Sequence, residues 1–82
     1  MARRLFNWTY REVIMFLKEN GFSFHKELGG SHQAWIKHGA GDQPTRIAEV
    51  NFTHGSYPPK TLLNIIKDSG IHRNQWLDWI RS

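Results

Sequence analysis

Between Tyr10 and Leu17 the apolar residues fall at Tyr10, Val13, Ile14 and Leu17, the three-and-four spacing of a helix with one buried face. Thr9 and Glu12 form a capping-box pair at its start, and Asn20-Gly21 supplies the left-handed residue that ends it, so a helix is predicted over Tyr10 to Glu19. The period then changes. From Phe22 to Leu28 it opens as an alternation of two, and after Gly29-Gly30 a second run from Ser31 to His38 carries Ala34, Trp35 and Ile36. These two runs read as antiparallel strands joined by a glycine turn. Gly39 to Pro44 is a second turn, and Arg46 to Phe52 is a third strand with Ala48, Val50 and Phe52 on one face and Ile47, Glu49 and Asn51 on a wet one.

Helical spacing returns at Leu62, Leu63, Ile65 and Ile66, preceded by Pro58-Pro59 and closed by Gly70, with Ile71 as an apolar lock behind the glycine. Trp76, Leu77, Trp79 and Ile80 then fit a short terminal helix whose aromatics finish the core rather than stack on bases. The order helix, three strands, helix, short helix predicts a two-layer α+β domain, α-β-β-β-α, with the helices on one face of a three-stranded antiparallel sheet. There is no internal repeat and no linker, so residues 1–82 read as a single domain.

Composition narrows the function classes. Without cysteine there is no disulfide, thiolate metal site or cysteine nucleophile, which fits a reducing compartment. The start Met-Ala-Arg-Arg lacks the apolar stretch of a signal peptide and no run approaches a membrane span, so the expectation is a soluble cytoplasmic protein. The formal charge of +4 points to a phosphate-bearing partner, although the Lys and Arg residues form no tract and any basic patch must be assembled by folding. Lys26, Lys37 and Arg46, on three adjoining strands, are expected on an exposed sheet face, and Lys60 near a helix start, as phosphate contacts.

The sequence Gly29-Gly30-Ser31-His32 poses a chemical question, because a turn needs the glycines but not the imidazole. Histidine holds both protonation states near neutrality, so His32 suits general acid or base work. Gly30 would let a nucleic-acid backbone approach, and the Ser31 hydroxyl would donate to a phosphate oxygen or orient the ring. By alternation His32 shares a face with Ala34 and Ile36; if that is the core face, it stays wet only at the strand mouth or beside a bulge, and the mouth is expected. His54, after the third strand, is a possible second acid or base. His25, His38 and His72 lack the spacing and the carboxylate or cysteine company of a metal site, so neither metal nor other cofactor is expected.

Asn20-Gly21-Phe22 at the first helix end, Gly30-Ser31-His32 opening the second strand, and Lys60-Thr61-Leu62 through Ile66 to Ser69-Gly70-Ile71 on the second helix together resemble the HicA (YcfA-like) toxin family over about Tyr10 to Ile71. The resemblance implies a fold like the double-stranded-RNA-binding domain. It also implies the toxin of a type II toxin–antitoxin system, an endoribonuclease that cleaves mRNA and is neutralised by a HicB-type antitoxin, with His32 in the catalytic position. The segment from Phe22 to Ser31 is about one residue longer than that family's usual, which leaves room for a bulge. Two other readings stand beside it: a non-catalytic RNA- or DNA-binding module of the same fold, and an interaction domain that docks a partner by a strand edge or its aromatic tail.

Overall fold

The computed structural model describes residues 7–81; Arg3 and Arg4, and the start read above for a signal peptide, lie outside them. The chain forms α1 (Tyr10–Glu19), β1 (Ser23–Gly29), β2 (His32–Lys37), β3 (Arg46–Asn51), α2 (Pro59–Ser69) and α3 (Arg73–Arg81). The sheet is antiparallel with the order β1-β2-β3, so the α-β-β-β-α architecture with a short terminal helix is the one read from the sequence. Helix α1 begins with the anticipated reciprocal cap, in which the Glu12 amide donates to Thr9 Oγ1 and the Thr9 amide to Glu12 Oε1. No helix among the described residues is long and apolar enough to cross a membrane.

The core lies on the sheet face that carries Trp35, Ala48 and Val50, packed against Val13, Phe16 and Leu17 of α1, Leu62, Ile65 and Ile66 of α2, and Trp76 of α3. Trp35 stands directly opposite Ala48 and Gln33 opposite Val50 in the β2–β3 register. Residues opposite one another share a face, so β2 turns Gln33 and Trp35 toward the helices. His32, Ala34 and Ile36 therefore occupy the other face. Ala34 and Ile36 are still buried, each flanked on both sides by strand neighbours.

Gln33 resolves its place on the helix face by accepting two hydrogen bonds at Oε1, from the Tyr10 hydroxyl (2.8 Å) and from Trp35 Nε1 (3.0 Å). It ties α1 to the central strand one residue from His32. The terminal aromatics belong to the core as expected. Trp76 is fully buried 4.2 Å from Phe16, and Trp79 stacks on Trp8 with centroids 5.7 Å apart while its indole N–H reaches Glu19. The Trp76 indole N–H has no hydrogen-bond partner, a burial that costs on the order of 1–3 kcal/mol.

Candidate functional site

The hairpin that presents His32 is built from Gly29 and Gly30, whose φ values of 106° and 57° both lie in the left-handed region that a side chain resists. Gly29 pairs directly with His32, so the loop is the two residues Gly30-Ser31, and Gly30 at its first position supplies the positive φ that so tight a reversal needs. The Phe52 amide donates to the Ser31 carbonyl across 2.8 Å, which extends the β2–β3 pairing one step beyond His32 and holds it at the strand mouth. Strand β1 carries two register shifts, between Phe24 and Lys26 and between Glu27 and Gly29, which leave His25 and Leu28 as extra residues opposite β2.

His32 Nδ1 lies 2.7 Å from Glu49 Oε2, and both side chains are about half exposed, at 53% and 54%. Glu49 is two residues from Asn51, the cross-strand partner of His32, so the contact is a diagonal one on the open face. A carboxylate at Nδ1 fixes which way the ring stands and leaves Nε2 as the nitrogen that can take or give a proton to a bound molecule. The site is therefore wet and oriented.

Beside this pair runs a cleft of about 460 Å³ between β3 and α2, lined by His32, Glu49, Asn51, Thr61, Asn64 and Asp68 with Ile65 and Lys67. Thr61, Asn64 and Asp68 are spaced by three and four along α2 and form a polar stripe next to the buried stripe Leu62, Ile65, Ile66 and Ser69. The start of α2 is fastened to the sheet by the hydroxyl of Tyr57, which donates to the Asn51 carbonyl across 2.6 Å. Burial, with the nearby Tyr10 phenol second, raises the Tyr57 pKa well above the ordinary tyrosine value.

The other expected site residues are only partly gathered here. His54 lines a different cleft with Thr9, Tyr10 and Arg11, its ring edge-on to Phe52 at 4.9 Å. Phe52 packs on Tyr10 of α1 with centroids 5.0 Å apart, so the chain leaving β3 carries His54 toward α1 and away from the His32 cleft. Gly30 and Ser31 adjoin His32 in the turn, outside the cleft lining. Lys26 pairs with Ala34 and shares the face of His32, and Lys60 is exposed in the first turn of α2.

Lys37 and Arg46 are exposed, but on the opposite side of the sheet from His32. They stand opposite one another on the helix side, with Lys37 reaching Gly21 beyond the end of α1 and the Arg46 guanidinium lying over Gly70, the left-handed cap of α2. The Lys37 stem and the Arg46 guanidinium thus each lie by a helix C-terminus, a position that favours positive charge. The cation that the fold delivers to the cleft is Lys67, which sequence reasoning passed over along with Glu49, Asn51, Asn64 and Asp68. The stripe at Thr61, Asn64 and Asp68 was the available signal; the meeting of Glu49 with His32 required the strand register.

No group of three or more histidines, aspartates and glutamates among the described residues could hold a metal ion. Comparison with protein-family models, curated proteins and solved structures finds no match to this chain.

Proposed function

We propose that the chain is an endoribonuclease in which His32 is the general acid or base, acting on single-stranded RNA. The observation that carries this reading is the His32–Glu49 pair: an imidazole half in water at the rim of a polar cleft, its Nδ1 held by a carboxylate at 2.7 Å and its other nitrogen left for substrate. In such a reaction Nε2 removes the proton of a ribose 2′-hydroxyl, the oxygen attacks the adjacent phosphorus, and the phosphorus–5′-oxygen bond breaks to leave a 2′,3′-cyclic phosphate and a 5′-hydroxyl that takes its proton from solvent water. Glu49 stabilises the imidazolium that forms, as a buried carboxylate does in hydrolases that pair one with histidine.

The Gly30-Ser31-His32 motif and its likeness to the HicA family support a toxin role in a type II toxin–antitoxin system, with mRNA as substrate in the cytoplasm and a HicB-type antitoxin as partner. The overall charge of +4 supports a polyanionic substrate and an acidic antitoxin. The second reading is an RNA- or DNA-binding module of the same fold without chemistry, and the absence of Lys37 and Arg46 from the His32 cleft lining is what keeps it beside the first. One experiment separates the two: purified protein and its His32→Ala variant are incubated with a fluorescent single-stranded RNA. Cleavage lost in the variant supports the enzyme; equal cleavage, or none by either protein, leaves binding alone.

A further inference from the structure

The cleft beside His32 has the wrong charge for a phosphate. Glu49 and Asp68 line it against one cation, Lys67, so it is net negative whenever His32 is neutral. Its remaining polar lining is uncharged: Asn51, Thr61 and Asn64. A site of this kind takes a neutral group rich in N–H donors, and the part of an RNA strand that fits the description is a nucleobase.

Asn64 and Asp68 are one helical turn apart on α2, so their side chains are neighbours on the surface that faces the cleft. A carboxamide that turns its amino group to the cleft, followed by a carboxylate, presents a donor and then two acceptor oxygens. The Watson–Crick edge of guanine presents the complement in order, an acceptor at O6 and donors at N1 and N2. Adenine and cytosine each place a single amino group beside a bare ring nitrogen, and uracil sets one N–H between two carbonyls, so none of them fills both oxygens of the carboxylate.

Asp68 also lies in the last turn of α2, where a negative side chain opposes the helix dipole. Its position is thus unfavourable for the helix and suitable for the cleft. We infer that the Asn64–Asp68 pair is a guanine-reading subsite, which holds an unstacked guanine next to His32 and leaves the phosphodiester at the His32 rim. The inference rests on the ribonuclease reading for its biological meaning and on the cleft geometry alone for its binding.

Isotope-labelled protein titrated with the 2′-O-methyl pentanucleotides UUGUU, UUAUU, UUCUU and UUUUU, which cannot be cleaved, tests it directly. The guanine-containing strand is expected to shift the amide signals of Asn64 and Asp68 and to bind at least about fivefold tighter than the others, with the preference erased in Asp68→Asn. Equal affinity for all four strands, or shifts confined to other surfaces, overturns the subsite. The His32→Ala protein keeps the two ideas apart: guanine preference there with cleavage lost supports both. Guanine preference in a protein whose cleavage does not depend on His32 supports the subsite and refutes the catalytic role.

Discussion

The Tyr57 hydroxyl donates to the Asn51 carbonyl across 2.6 Å, joining the loop before α2 to the last residue of β3. These are the two walls of the cleft, so their separation is set by a buried phenol rather than by the groups that would meet a ligand. A bond of this kind contributes about 0.5–1.5 kcal/mol.

Its pH dependence follows from the raised Tyr57 pKa. The unfolded chain releases this proton near the ordinary tyrosine value of about 10, while the folded chain holds it to higher pH. The contribution to stability is complete below that ordinary value and is lost as pH rises toward the folded one. Thermal unfolding from pH 8 to pH 12 should show a steeper alkaline decline for the wild type than for Tyr57→Phe. The variant should be less stable by about 0.5–1.5 kcal/mol at neutral pH; parallel curves would contradict the role given to burial.

His32→Ala is expected to lower RNA cleavage by about 10²–10⁴, the usual contribution of one positioned acid or base. The ring is half exposed, so circular dichroism and the unfolding midpoint should stay close to those of the wild type. Retained cleavage would remove His32 from the reaction.

Glu49 separates orientation from chemistry. Glu49→Ala should reduce cleavage by roughly ten- to a hundredfold, as loss of a histidine's orienting partner does elsewhere. Glu49→Gln, which still offers an oxygen to Nδ1, should recover part of that loss. Nitrogen NMR of the neutral ring reports the same pair without any substrate: the proton should reside on Nδ1 in the wild type and move toward Nε2 in Glu49→Ala. An unchanged tautomer in that variant would show that the carboxylate does not set the ring.

Asp68→Asn should raise stability, because it removes a negative charge from the last turn of α2. The gain is about 0.3–1 kcal/mol, or a midpoint roughly 1–8 °C higher by calorimetry. A lower midpoint would mean that Asp68 supports the fold.

Local rules explain why the elements were legible. Thr9 with Glu12, Asn20-Gly21 and Ser69-Gly70 mark helix ends through hydrogen bonds and φ angles that act within four residues, so they can be read from the chain alone. The face of β2 was not legible in this way. Ala34, Trp35 and Ile36 are consecutive and apolar, all three are buried, and only the partners of Gln33 and Trp35 decide which side meets the helices. That choice sent His32 to the open face and Lys37 and Arg46 to the helix ends. His32 at the strand mouth followed from its distance to the glycine turn, whereas Glu49 came to it through register, which depends on residues seventeen positions apart in the chain.

Trp8, Trp76 and Trp79 share one aromatic cluster, with Trp8 lying 5.2 Å from the first partner and 5.7 Å from the second, and none of the three lines the His32 cleft. Indoles this near couple their electronic transitions. The domain is therefore expected to show an exciton feature in far-ultraviolet dichroism that is lost when α3 leaves α1. Loss of the fold can thus be followed without an added dye, by a signal that docking at the cleft leaves untouched.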